Sequence, residues 1–289
     1  MSIKTILVPL SDTRTAEAPL KAALKVAHLF DAHLEALHVR TDPNRAMVDY
    51  GNEAMSSQVV EQMRQAIEER TKEHAAGVRK LFDDECAKSG VTIVEVGPGT
   101  GGVSASWREE TGDENRWIER RGRFADVTVM GRLSKDRDVP SAEALETAIL
   151  ATGRPILLAP PEEPDSIGKR VAIAWNGSAE AARATGLAMP FLKAADAVSV
   201  LSVTEESNWA YSPEDLAAYL AWHGVDAKAR SIPANGGSTG ALLLTEAVAE
   251  GADLLVMGAY THSRLREMFL GGVTKYVLNT TGPAVLMAH

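Results

Sequence analysis

The residue types best suited to chemistry stand in one stretch near the C-terminus, DLLVMGAYTHSRLREMFLGGVTKY at 253–276. An apolar run ends at Gly258, a loop with two arginines follows, and Gly271 then opens the next segment. A missing Cβ lets a ligand approach the backbone closely, and free N–H groups at a helix start attract anions. The pattern therefore predicts a phosphate-binding loop. Its candidate residues are Gly258, Thr261, Arg264, Gly271, Gly272, Val273 and Thr274.

A second candidate loop, Trp175-Asn176-Gly177-Ser178, follows an apolar run at 170–174. Asn176 carries an amide that could pair with the edge of a base. Ser178 is a residue type that caps helices, so the same loop could equally be an ordinary helix start. The residues alone leave both interpretations open.

Other kinds of site find little support in the sequence. Neither half has the Gly-x-Gly-x-x-Gly pattern of a dinucleotide-binding loop after its first strand, and GPGTGG at 97–102 lacks the Gly-Lys-Ser/Thr ending of a phosphate loop. His28, His33 and His38 fall across a helix end and a strand, so we do not expect them to converge on a metal. His262 is expected to be a solvated loop residue. The sequence predicts no catalytic residue and no metal site.

Composition narrows the class of protein. The chain has 289 residues, a net charge of -9 and a single cysteine, Cys86. The acidic charge argues against a nucleic-acid surface, and one cysteine cannot form an internal disulfide. No stretch approaches the roughly 20 apolar residues that span a bilayer, and no signal peptide is visible. These features predict a cytoplasmic protein without nucleic-acid or membrane partners.

The chain repeats itself. ADVTVMGR at 125–132 returns as ADLLVMGA at 252–259, with five of eight positions identical. Each copy leads through a loop and a helix to a proline-preceded apolar strand, PILLAP or PAVLMA. A repeat this long indicates duplicated domains. We place the boundaries at 1–160 and 168–289, called below the first and second halves.

Alternation of apolar runs with amphipathic stretches predicts an α/β fold in each half: two tandem doubly wound parallel-sheet, Rossmann-like domains. In the second half the expected strands lie near 170–175, 197–203, 226–232, 253–258 and 283–288, and the helices near 178–194, 212–223, 239–251 and 272–280. The first half adds a long helix from Ala54 to about Lys88, with an apolar stripe that includes Cys86 and a far end that overhangs the domain.

In this repeat and in these loop residues, both halves resemble the universal stress protein family. The resemblance is to two domains in tandem and covers nearly the whole chain. In its nucleotide-binding branch the last loop reads Gly-x2-Gly-x9-Gly-Ser/Thr and embraces the phosphates of ATP, and an Asp after the first strand holds the adenine. Gly258 and Gly271 match the first and third glycines. Thr261, Gly272 and Asn176 replace the second glycine, the hydroxyl residue and the Asp.

The first half departs further from that pattern. Ser11 stands at the adenine-contact position, and Gly131 is retained. Counting back from Pro155, Glu143 takes the place of Gly271. A carboxylate at a helix start repels phosphate, so we expect the first half to keep the fold and to have lost the site.

The resemblance implies a cytoplasmic stress-response protein that binds ATP or another adenine nucleotide, with Mg²⁺, in its second half. Binding is expected rather than catalysis, because no general base is evident; at most slow ATP hydrolysis fits. The alternative is a nucleotide-independent scaffold or small-ligand binder that acts through protein partners. The resemblance also implies an intramolecular pseudo-dimer through the last strand of each half, and it leaves further homo-oligomerisation open.

Overall fold

The computed structural model describes residues 2–43, 57–95, 101–133, 141–204, 212–234, 236–259 and 272–289. Within these ranges the chain forms one continuous sheet of eleven strands, ordered β3-β4-β2-β1-β5-β6-β11-β10-β7-β8-β9. Helices cover both faces of this sheet, which confirms the predicted α/β class.

The first half contributes six strands and four helices in its described part. The strands are β1 (Thr5–Pro9), β2 (His33–Arg40), β3 (Thr92–Ile93), β4 (Ser104–Thr111), β5 (Val127–Met130) and β6 (Ile156–Leu158). The helices are α1 (Thr13–Phe30), α2 (Ser57–Lys88), α3 (Glu114–Gly122) and α4 (Ala142–Ala151).

The second half contributes five strands and, where the structure describes it, five helices. The strands are β7 (Arg170–Ala174), β8 (Ala197–Thr204), β9 (Ala227–Pro233), β10 (Leu254–Gly258) and β11 (Ala284–Ala288). The helices are α5 (Ala179–Leu187), α6 (Met189–Ala194), α7 (Pro213–Trp222), α8 (Thr239–Ala249) and α9 (Gly272–Leu278).

Every strand pair within a half is parallel, which is why the strands read as apolar runs buried on both faces. The two halves meet where β6 and β11 pair antiparallel, with Leu157 opposite Leu286. The edge-to-edge pairing of the last strands is therefore present in the structure. It removes two apolar edges that would otherwise be open to other chains.

Apolar side chains form one layer on each face of the sheet. One layer joins α1, α2, α6 and α7 to the strands through, among others, Leu20, Phe82, Phe191 and Leu216. The other joins α3, α4, α8 and α9 through Ile118, Leu145, Leu243 and Val277. Both layers run across the seam between the halves, so the two domains share their cores.

One predicted element differs from the structure. The helix expected at 178–194 is two helices, α5 and α6, because Pro190 has no N–H to continue the helical bonding and its ring crowds the preceding turn. In the first half, β2 lies between β1 and β4, which follows the glycine-rich stretch, and β3 is a two-residue strand at the edge.

The long helix α2 packs through its C-terminal half only. Val78, Phe82 and Cys86 are fully buried, whereas Val59 near its start is 42% exposed. Burial raises the pKa of the Cys86 thiol to about 12, which leaves it protonated and unreactive at neutral pH. The predicted overhang and the predicted place of Cys86 on the packed stripe are both confirmed.

Candidate functional site

Gly258 ends β10 where the strand touches the first turn of α5. A Cβ added to Gly258 would lie 2.6 Å from the backbone nitrogen of Ala181 and 2.7 Å from the carbonyl carbon of Glu180. Real Cβ atoms do not approach backbone this closely, so any other residue would push α5 away from the sheet. The missing Cβ at Gly258 is therefore needed for the packing of α5, and a ligand contact at Gly258 stays a prediction.

Asn176 and Ser178 build the start of that same helix. Ser178 is the N-cap of α5, and its Oγ accepts a hydrogen bond of 3.1 Å from the backbone N–H of Ala181. The Oδ1 atom of Asn176 accepts one of 3.1 Å from the N–H of Ser178. The cap predicted for Ser178 is confirmed. The side-chain oxygen of Asn176 serves the turn, and its amide group is left for another partner.

The structure therefore brings Asn176 and Gly258 to one place, the first turn of α5. The third cluster of candidates begins α9. Gly272 is exposed, and a methyl group on its Cα would meet no described atom within 4 Å. Val273 is partly buried, and Thr274 is 4% exposed. The remaining candidates lie outside the described residues: Thr261, Arg264 and Gly271.

Trp175, immediately before Asn176, carries a donor without an acceptor. Its indole Nε1 is buried, and none of the residues that the structure describes accepts a hydrogen bond from it. A buried indole N–H usually has a partner. The first half has Leu10 at the same point of its repeat, so this donor belongs to the second half alone.

The matching position of the first half is filled by the protein itself. Ser11 donates a short hydrogen bond to the Oε1 atom of Glu114, the first residue of α3. Burial raises the pKa of Glu114 above its ordinary value, although the Ser11 hydrogen bond acts in the opposite direction. Beside it, Asp12 caps α1 and pairs with Arg14 at 2.7 Å, which lowers the pKa of Asp12 to about 2.

Glu143 lies in the first turn of α4, whose N-cap Ser141 accepts from the N–H of Ala144. The carboxylate expected there from the sequence is thus at the start of a helix that already has its cap. Glu143 and Glu114 are thus two carboxyl groups at helix starts of the first half.

Sequence reasoning missed Arg132, which crosses from one half to the other. Its Nη1 donates to the carbonyl oxygens of Val277 and Thr280, both at 2.6 Å, and its Nη2 donates to the carbonyl of Pro283. Burial lowers its pKa to about 10, so it remains charged at neutral pH. A signal existed: within the eight-residue repeat, Arg132 is matched by Ala259, the one position where only one copy carries a charge.

Two cavities lie away from the candidate loops. One, of about 440 Å³, sits at the seam between the halves beside Arg132 and Thr280, and the other, of about 760 Å³, lies over β2 and β4 beside His33. In the second, His33 contacts Ser104 and Ser106 at 2.9 Å each. The cavity's other polar groups include an ion pair between Glu35 and Arg121. The cavity is lined by charges of both signs, so no ligand class is favoured.

Neither a metal centre nor a membrane-spanning helix is found in the described part of the chain. Across those ranges, no group of three or more His, Cys, Asp or Glu side chains is arranged to hold a metal ion. In the same ranges, no helix combines the length and the apolar character needed to span a bilayer.

Solved structures of other proteins have a similar fold. The chain resembles the crystal structure of a universal stress protein from Archaeoglobus fulgidus DSM 4304, with a TM-score of 0.67, 15% identity, and coverage of 98% of this chain and 97% of that one. A functionally unknown protein from Pseudomonas aeruginosa PAO1 matches with a TM-score of 0.56, 16% identity, and coverage of 99% and 92%. At these identities the likeness concerns the fold alone.

No curated protein matches the sequence. The sequence model of the universal stress protein family, however, matches this chain twice, at residues 2–103 and 168–289. The two matches cover most of the chain and fall one in each half. This chain therefore belongs to the universal stress protein family.

Proposed function

We propose that the protein binds ATP or another adenine nucleotide in its second half, as a signalling or protective stress protein of the cytoplasm rather than an enzyme. The proposal treats 1–160 and 168–289 as its two domains and places the nucleotide at Asn176, Gly258 and the start of α9. Mg²⁺ would arrive with the phosphates, since the described residues offer no cluster of carboxylates of their own for it.

The observation that carries the proposal is the difference between the two halves at equivalent positions. In the first half, Ser11 is engaged by the carboxylate of Glu114, and Glu143 stands in the first turn of α4. In the second half, Gly272 opens α9 with no described atom crowding it, and no acidic residue lies in the first turn. A phosphate is repelled by the first arrangement and tolerated by the second.

Three features of the second half suit an adenine nucleotide. The amide group of Asn176 is a donor that remains after its oxygen has bonded to Ser178. The indole N–H of Trp175 is a second donor beside it, with no acceptor among the described residues. The sequence adds Arg264 and the hydroxyl of Thr261, and an arginine can donate charge-assisted hydrogen bonds to phosphate.

Calorimetric titration with Mg-ATP tests the proposal, and Gly272→Glu is the informative variant. The first atom of the new side chain meets no described neighbour, and a glutamate at a helix start suits the helix, so the fold should persist. We expect micromolar affinity for the wild type, near -8 kcal/mol, and loss of most of the binding heat in the variant.

Gly186→Glu is the matched control, because Gly186 is exposed in α5, also has open space around it, and receives the same charge. It should bind ATP as the wild type does. Absence of heat for the wild type, or equal heat for Gly272→Glu, would contradict the proposal.

A second candidate function is a nucleotide-independent scaffold that acts through protein partners. The N-terminal part of α2 favours it, because Val59 there is 42% exposed and the helix extends beyond the core that Val78 and Phe82 join. Mass spectrometry of small molecules that co-purify with the chain separates the two functions. An adenine nucleotide supports the first, and its absence together with no binding in the titration supports the second.

A further inference from the structure

Arg132 completes a helix that belongs to the other half of the molecule. It follows β5 in the first half, yet its guanidinium reaches the carbonyl oxygens of Val277, Thr280 and Pro283 in the second. The last carbonyls of any helix have no partner within that helix. Here the end of α9 and the turn before β11 obtain their partners across the seam.

The chemistry of arginine suits a contact that holds a helix end in place, and the contact of Arg132 with the end of α9 is called the clamp below. Arginine presents its donors in a rigid planar fork, and a cation is favoured at the negative end of a helix. Its Nε is buried as well, and no described residue accepts from it. Burial removes much of the water around this charge, and hydrogen bonds from a charged donor are stronger in such surroundings.

Among the residues that the structure describes, this support runs from the first half to the second only. In the first half, the corresponding helix α4 is completed from within: Arg123 Nε donates to the carbonyl of Ala151 at 3.2 Å, and the hydroxyl of Thr152 donates to that of Ala148 at 2.7 Å. The repeat counterpart of Arg132 is Ala259, which has no side-chain donor. The second half therefore depends on the first for its last helix, and the reverse does not hold.

From this geometry we propose that Arg132 is a positioning residue, through which the first half fixes the last helix of the second half and thereby its candidate nucleotide site. The functional part rests on the proposed function. Helix α9 spans only Gly272–Leu278, so the anchored carbonyl of Val277 is one turn from Thr274 and Val273. A displacement of the anchored end moves the other end with it.

In this arrangement the first half supports the candidate site of the second. Its own loop is occupied by Glu114, but its Arg132 supports the other loop. Removal of the first half would take away that support and also uncover β11. A fragment of the second half alone is consequently expected to bind more weakly than the whole chain.

The test uses the full chain with Arg132→Ala and, as matched control, Arg123→Ala, which removes an arginine that serves a helix end in its own half. Hydrogen exchange should become about tenfold faster in α9 for Arg132→Ala, with α4 unchanged; for Arg123→Ala only α4 should respond. The dissociation constant for Mg-ATP should rise about tenfold in Arg132→Ala and stay at the wild-type value in Arg123→Ala.

Each result decides a separate point. Unchanged exchange in α9 of Arg132→Ala overturns the clamp. Faster exchange in α9 with an unchanged dissociation constant for Mg-ATP overturns the positioning role, and Arg132 is then a structural contact only. If the wild type binds no ATP, the proposed function fails, and exchange alone decides the clamp. Should Arg132→Ala fail to fold, Arg132→Lys, which keeps the charge but loses the fork, is measured by the same criteria.

Discussion

At the scale of single residues, the two halves differ most at the carboxyl ends of their strands. The first half places a carboxylate, Glu114, where Ser11 would otherwise face a ligand, and burial disfavours the charged form of that carboxylate. The second half places an amide, Asn176, in the same part of its repeat. A carboxylate repels a phosphate, whereas an amide does not.

Glu114→Gln should stabilise the protein at pH 7 by about 1–2 kcal/mol, because the variant buries no charge and can still accept from Ser11. The pKa of Glu114 is raised, so above its ordinary pKa of 4.5 the folded protein holds more protons than the unfolded chain. Stability therefore falls as pH rises from 4.5 through the raised pKa. Urea unfolding at a series of pH values should show this slope in the wild type and not in Glu114→Gln.

Glu119→Gln is the control for this series, since Glu119 lies on the same helix but is 38% exposed and paired with Arg123. It should change stability by no more than about 0.5 kcal/mol and leave the slope intact. A Glu114→Gln variant that is less stable than the wild type at pH 7, with the same slope, would show that the carboxylate is stabilising.

At the scale of elements, helix starts surround the candidate site. Ser178 caps α5 with a hydrogen bond to Ala181, against which Gly258 packs. Ser238 occupies the N-cap position of α8 but makes no side-chain cap hydrogen bond. Ser178 and Ser238 thus occupy the same N-cap position in their helices, but only Ser178 makes a side-chain cap hydrogen bond.

Ser178→Ala should lower the free energy of unfolding by about 1 kcal/mol, because the N–H of Ala181 loses its acceptor in a confined place. Ser238→Ala should cost clearly less, as no cap bond is lost. Urea denaturation of both variants beside the wild type provides the comparison. Equal losses would mean that the cap of α5 contributes nothing beyond helix propensity.

At the scale of the whole molecule, the sheet does not stop at the boundary between the halves. Residues of β6 pair with β11, and both apolar layers cross the seam. Arg132 adds three hydrogen bonds from the first half to the second. Two domains by sequence therefore share one sheet and common cores.

We expect the halves to unfold in a single transition. Tryptophan fluorescence can report each half separately, with Trp107 and Trp117 retained in one variant and Trp175 and Trp222 in another. Both should give the same urea midpoint as circular dichroism. Leu158→Pro, which removes an N–H that faces β11 at the seam, should lower both midpoints together. Separate midpoints in the otherwise unchanged chain, or a shift confined to one half in Leu158→Pro, would contradict the shared core.

The sequence by itself determined the class of fold and its duplication. Alternating apolar runs and amphipathic stretches are local patterns, and the repeat from 125–132 to 252–259 is visible without any structure. Buried positions such as Cys86 followed from the same periodicity, since a helix face is set by spacing alone. The family resemblance implied that the last strands pair, and apolar edge strands favour such pairing; the structure added the antiparallel register at Leu157 and Leu286.

Only the tertiary structure decided what particular side chains do. Gly258 suggested a ligand contact, and its packing against Glu180 and Ala181 appears only when β10 and α5 are placed together. Glu114 is 103 residues from Ser11, and Arg132 is 145 from Val277. Contacts at such separations leave no periodic trace in the sequence, because they depend on how whole elements pack rather than on the spacing of neighbours along one element.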